Sequence, residues 1–299
     1  MIALAVQLLQ FALVLALAPA LTGVVRKAKA RLVGRRGPGV LQPYRDLWKL
    51  LRKEAVVAEN ASWLFRVSPY LMFALLWLAA ALVPTFTTDL PLSPAADLIA
   101  LVGLLGSARF LQALAGLDVG TSFGGIGSSR EMMIGSLAEP AMLLVIFTMA
   151  LFVKSTSIGA MAEFVLDNPV GLRVSFAMAL IALTMVAIAE CARIPVDNPA
   201  THLELTMVHE AMVLEYSGRH LALIDAAAMM KLLFFVSLIA GLFAPWGLAQ
   251  DIHDGAALGI GLAFYAGKLF GGAVLLAVDR KSTRLNSSHS QQSRMPSSA

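Results

Sequence analysis

The sequence carries a single cysteine, Cys191, in 299 residues. That count excludes an internal disulfide and leaves no thiolate set for an iron–sulfur cluster or a cysteine-ligated zinc in this chain. Charge is scarce too. Asp, Glu, Lys and Arg make up 14% of the residues, where a soluble domain holds about 25%. No basic residue precedes Arg26. A cleavable signal peptide needs a positive start and a shorter apolar core, so residues 2–25 are expected to stay as a first membrane helix. No HExxH spacing offers a zinc site, and the glycine-rich stretch at Gly124, Gly125 and Gly127 has the wrong spacing for a nucleotide. No internal repeat of the kind that builds many carriers is present.

What the chain has in abundance is apolar sequence: 58% hydrophobic residues and a mean hydropathy of +0.76. Runs that reach or approach the length of a bilayer core predict an all-α, polytopic transmembrane bundle of about seven spans. These are placed at 2–25, 68–85, 97–117, 137–153, 172–192, 225–246 and 256–278, with residues 1–278 forming one membrane domain. The net charge of +4 does not point to nucleic acid, because Lys and Arg crowd between the first two apolar runs. They are absent from the loop 86–96, then recur at Arg130, Arg193 and Arg219. By the positive-inside rule the amino terminus lies outside and the loops near 26–66, 118–136 and 193–224 are cytoplasmic, in a cell inner (plasma) membrane.

Leu41 to Glu54 interleaves Tyr44, Leu47, Trp48, Leu50 and Leu51 with Arg45, Lys49, Arg52 and Lys53. This is the pattern of an amphipathic helix on the membrane surface. It reads as a simple anchor or as part of a docking platform or lipid-facing portal. The segment 279–299 is dominated by serine, has no apolar periodicity, and is expected to be disordered and foreign to the original protein.

Polar residues beside a bilayer are costly and mark function more often than accident. Glu139, before Pro140, and Glu190, near the end of the fifth span, are placed in a functional polar cavity on that ground. Arg109, Lys231 and Lys268 also interrupt apolar runs, with snorkelling as the competing explanation. Ser128 with Glu131, and Thr201 with Glu204, match capping boxes, and the glycines before Ser128 suit a tight turn between helices. Asn198 and Pro199 suit a helix start. If 200–216 is one helix, Glu204 and Glu215 share nearly one face, and His202 and His209 the other. The two histidines are then about 10 Å apart along the axis, too far to share a metal. Glu204, His209, Glu210 and Glu215 instead suit proton handling.

The motifs Arg35-Arg36-Gly37-Pro38-Gly39-Val40-Leu41-Gln42-Pro43, Asp46-Leu47-Trp48-Lys49-Leu50-Leu51, Ile126-Gly127-Ser128-Ser129-Arg130-Glu131, Glu190 to Pro199 and Glu215-Tyr216-Ser217-Gly218 resemble one family. It is the membrane subunit shared by respiratory complex I (the H-type subunit, or NADH dehydrogenase subunit 1) and membrane-bound nickel–iron hydrogenases. The likeness runs from the first helix to about Val278 and is nearest the hydrogenase branch of formate hydrogenlyase subunit 4 and hydrogenase-4 component C. The complex I members carry a longer insert before Leu41-Gln42-Pro43 and an acid-rich stretch where Asn198-Pro199-Ala200-Thr201-His202 stands here. Relatives also continue past the seventh span with a basic loop and a final helix.

The resemblance implies a non-catalytic anchor beneath a peripheral redox arm, partnered by hydrogenase large and small subunits, iron–sulfur subunits and antiporter-like membrane subunits. The nickel–iron centre and iron–sulfur clusters sit on those partners, and this chain carries no cofactor or metal of its own. Quinone binding is not carried over to the hydrogenase branch. Glu139, Glu190, Glu204 and Glu215 match the family's proton path, and Glu131, Asp197, His209, Glu210, Arg109 and Lys231 are further candidates for proton handling read from the residues themselves. Arg35, Arg36, Arg130 and Arg193 are expected at the partner interface. The competing functions are the quinone-site, H-type subunit of NADH-quinone oxidoreductase (complex I) and, more remotely, a stand-alone cation–proton antiporter.

Overall fold

The computed structural model describes residues 2–32, 34–167, 174–193, 208–249 and 254–292, with side chains in the last stretch to residue 276. Every extended element among them is a helix. In chain order these are α1 (Ile2–Leu32), α2 (Gln42–Leu51), α3 (Trp63–Leu82), α4 (Leu98–Asp118), α5 (Ser122–Val153), α6 (Ile158–Asp167), α7 (Val174–Glu190), α8 (His209–Val213), α9 (Gly218–Phe243) and α10 (Gly255–Gln292).

Six of the described helices, α1, α3, α4, α5, α9 and the first part of α10, are long and apolar enough to cross a membrane. The seventh expected span is α7, a shorter apolar helix of 17 residues. The protein is an all-α, multi-pass membrane protein. Helix α9 forms its centre: 72% of its apolar window is buried within the protein, against 22–44% for the other five. It packs on α1, α2, α3, α6 and α7, and Leu233, Phe234 and Phe235 are almost fully enclosed. The outer faces of α5, α7 and α10 leave Leu144, Leu151, Met185 and Leu275 exposed, as lipid or a membrane partner requires.

Local chemistry sets the helix starts. Ser62, Asp97 and Thr121 each accept a hydrogen bond from a backbone N–H two or three residues on, capping α3, α4 and α5. Gln10, fully buried in α1, donates to the carbonyls of Ala81 and Val83 at 2.7 and 2.8 Å. It thereby satisfies backbone groups freed where α3 ends.

Helix α5 corrects two expectations. The loop expected at 118–136 shrinks to a few residues, because α5 begins at Ser122 and runs unbroken for 32 residues. Gly124, Gly125 and Gly127 make no turn, and Ser128 and Glu131 form no capping box: all lie inside the helix, and Thr121 is the cap. Gly124 and Gly127 serve close packing instead. A Cβ on Gly124 would sit 2.2 Å from the Gly116 carbonyl oxygen of α4, so only glycine lets the two backbones meet there. Ser128 donates across the same seam to the Ala113 carbonyl at 2.9 Å.

Helix α2 is amphipathic as expected. Leu47 packs on the core, Tyr44 donates to the Ala16 carbonyl of α1, and Trp48 stays exposed under the Arg52 guanidinium, 4.6 Å from its ring centre. Past Val278, where composition predicts no fold, the α10 backbone remains helical to Gln292. Extending an existing helix needs no new nucleus.

Candidate functional site

Buried charge gathers around one side chain. Arg109 of α4 is only 5% exposed, and its guanidinium faces three carboxylates from two other helices. Its Nε lies 3.5 Å from Glu131 Oε1 and its Nη1 donates to Glu139 Oε1 at 2.5 Å. Its Nη2 donates to Glu190 Oε1. Lys231 of α9 closes the set, with Nζ 2.8 Å from the other Glu190 oxygen, and His209 of α8 places Nδ1 3.6 Å from Glu131 Oε2. Only arginine offers donors in a fixed fork wide enough to serve three acids at once.

Helix packing builds this geometry. Gly135 of α5 faces Arg109: a Cβ there would lie 2.6 Å from Nη1, so the missing side chain is the space the guanidinium fills. Pro140 removes one backbone hydrogen bond beside Glu139, which membrane helices tolerate when neighbours supply partners. Glu131 and Glu190 are nearly sealed, whereas 42% of the Glu139 side chain is exposed. With each group in its usual state, three carboxylates face two cations and the cluster carries a formal charge of −1. One proton, on a carboxylate or on His209, brings it to neutrality.

Cavities approach the cluster from two sides. One of about 230 Å³, the inner cavity, lies between α3, α4, α7, α8 and α9, lined by Arg109, Gln112, Glu190, His209, Glu210, Asp225 and Lys231. A second, about 410 Å³, opens between α4 and α5 and is lined by Ser107, Ser136, Glu139 and Arg109. Arg109 borders both, so the ion cluster stands as a polar partition between them. An apolar groove of about 380 Å³ also runs between α1, α2 and α9, past Pro19, Tyr44, Leu47 and Met230.

A family model described as NADH dehydrogenase matches residues 4–283. The chain belongs to the NADH dehydrogenase family. Among its curated relatives, formate hydrogenlyase subunit 4 of Escherichia coli (strain K12) is 36% identical over 271 residues, 91% of this chain and 87% of that protein. Hydrogenase-4 component C of the same organism is 36% identical over 248 residues, 82% and 76% of the two chains. The H-type subunit of NADH-quinone oxidoreductase from Syntrophotalea carbinolica (strain DSM 2380 / NBRC 103641 / GraBd1) is 30% identical over 249 residues, covering 77% and 73%. A chain in the structure of the membrane-bound sulfane sulfur reductase, an archaeal respiratory membrane complex, superposes with a TM-score of 0.73 at 20% identity, covering 93% of this chain and 90% of that one. That last likeness speaks to the fold alone.

In this family member the residues singled out from the sequence divide into groups. Arg109, Glu131, Glu139, Glu190, His209 and Lys231 are brought together, and Glu210 lines the inner cavity. Glu215 is not with them: α8 ends at Val213, so residues 209–216 are not one helix, and Glu215 sits exposed in the following turn. The rest of its motif is structural. Tyr216 stacks on Phe65 at 3.9 Å and donates to the Phe65 carbonyl at 3.0 Å, while Ser217 pairs with both backbone groups of Val56 at 2.8 Å. Asp197, His202 and Glu204, together with Asn198, Pro199 and Thr201, lie outside the described residues. Arg35 and Arg36 are exposed, and Arg130 and Arg193 are partly so. Lys268 stands apart on α10.

Two cavity residues escape a reading of the sequence. Asp225 stands there as the polar edge of a span, yet α9 begins a full seven residues earlier, at Gly218, and carries it into the inner cavity. Gln112 follows Arg109 by three residues on α4, a helical spacing that makes them neighbours on one face and is the available signal.

Proposed function

We propose that the chain is the membrane anchor and redox-to-proton coupling subunit of a membrane-bound hydrogenase complex of the formate hydrogenlyase or hydrogenase-4 type. The observation that carries this reading is the partition of Arg109, Glu131, Glu139, Glu190 and Lys231 between two cavities. The 36% identity to formate hydrogenlyase subunit 4 supports the choice of complex. Electron transfer would take place in partner subunits docked on the basic face around Arg35, Arg36, Arg130 and Arg193. The arriving charge would shift the protonation of the cluster. A modest field suffices, since one pKa unit corresponds to about 1.4 kcal/mol. His209 and Glu210 would pass protons from the inner cavity, and Glu139 would release them through the α4–α5 opening towards an antiporter-like neighbour.

The test is the parent complex in liposomes. Glu190→Gln and Glu139→Gln are expected to preserve hydrogen evolution while lowering the protons moved per hydrogen formed. Unchanged proton movement in both variants would leave the chain as a structural anchor only.

The runner-up is a quinone-site subunit of an NADH-quinone oxidoreductase. Relatives that bear the name of that enzyme and the apolar groove between α1, α2 and α9 favour it. A purified complex that oxidises NADH with quinone, and evolves no hydrogen, decides for this alternative.

A further inference from the structure

The largest of the four cavities described is a groove of about 510 Å³ between α7, α9 and α10, within the roughly 300–1,000 Å³ of ordinary ligand sites. Its walls are aliphatic and aromatic, and the charged residues that line it, Arg193 and Lys268, are both cations. Lys268 is half-buried in the membrane-spanning part of α10, and among the described residues no carboxylate lines the groove or pairs with it. A lysine in a bilayer seeks an anion or the interface. Lys268 follows Gly255 by ~13 residues, roughly 20 Å of helix rise, which leaves it about 10 Å from the far side of a ~30 Å core. Helix α7 ends on that same side, next to Arg193. The long lysine stem can extend its ammonium towards that interface.

We propose that this groove is a binding site for an anionic phospholipid, with an acyl chain along α9 and the phosphate held by Lys268 at the Arg193 end. The apolar lining accepts the chain, and the all-positive rim selects the headgroup. Gly271 opens the wall, since a Cβ there would meet nothing within 4 Å. Cys191 lines both this groove and the inner cavity, so a bound lipid seals the protein directly behind Glu190. The proposal stands apart from the coupling reading and survives its failure.

The experiment is native mass spectrometry of the purified parent complex, titrated with phosphatidylglycerol or phosphatidylcholine in mild detergent. The wild type should retain one phosphatidylglycerol per copy of this chain with roughly fivefold preference, as one lysine near an anionic headgroup allows. Lys268→Gln should abolish the preference, and Lys268→Arg should keep it. Gly271→Leu, which adds bulk to the groove at a wall position where a Cβ meets nothing within 4 Å, should block both lipids while leaving the thermal unfolding of the lipid-free sample unchanged. Equal retention of the two lipids would overturn the proposal. So would a Lys268→Gln variant that still discriminates, or a partner polypeptide cross-linked into the groove.

Discussion

At the scale of single residues, Arg109 decides whether the charge cluster holds together. It meets Glu131, Glu139 and Glu190 at once, and its removal would strand buried carboxylates without a counter-charge. Breaking a buried ionic set by deleting one partner costs about 3–5 kcal/mol. Arg109→Met should therefore lower the thermal unfolding temperature sharply in detergent, while Lys49→Met on the surface helix should leave it nearly unchanged. Tyr216 yields a prediction about pH. Burial, and secondarily the Asp118 carboxylate, raise its phenol above the usual tyrosine value. A pKa raised in the fold means that the stabilisation is present in full below the unfolded value of about 10 and is lost as pH climbs through the folded one. Tyrosinate absorbance should show Tyr216 silent at a pH where exposed tyrosines have ionised. Tyr216→Phe should leave that part of the titration unaltered.

At the scale of elements, the most informative case is α5. Read as a string, glycines followed by Ser128 and Glu131 signal a turn and a cap, because both are local chemistry. Placed against α4, Gly124 is where the two backbones touch, and Gly127 meets the Val208 carbonyl and α8. The helix therefore carries Glu131 inward to Arg109. Gly124→Val should force α4 from α5 and destabilise the protein by about 1–3 kcal/mol or more. Gly125→Ala, one residue on and facing open space, should stabilise by up to about 1 kcal/mol through helix propensity. Unfolding of the two variants in parallel checks the pair, and equal effects would contradict close packing at Gly124. By contrast, α2 was legible in outline, since alternating basic and apolar residues impose one orientation at a bilayer surface whatever they pack against.

At the scale of the whole molecule, the alternation of basic and uncharged loops predicts an external amino terminus. In a Cys191→Ser background, a cysteine at Asp89 should react with a membrane-impermeant maleimide on intact cells, and one at Arg36 only after permeabilisation. The reverse pattern would invert the orientation. The helices group around α9 because it is the most enclosed of them, and this centre was not visible in hydropathy. Hydropathy measures how apolar a run is, and α1, at 2.2, is as apolar as α9, at 2.1, though far less of it is buried.

The sequence by itself determined that this is an all-α membrane protein, its family, and the acids and bases that break the apolar runs, whereas α5 and α9 begin 15 and seven residues before the apolar runs that announce them. Those follow from desolvation and helix periodicity, which act on each segment separately. The tertiary structure alone decided which of those charges belong together: Arg109 with Glu131, Glu139 and Glu190, Lys231 behind them, Glu215 outside, and Asp225 in the cavity wall. Arg109 lies 30 residues from Glu139 and 81 from Glu190 along the chain. Their meeting depends on how α4, α5, α7 and α9 are rotated and how closely glycine lets them approach, and no local pattern encodes either.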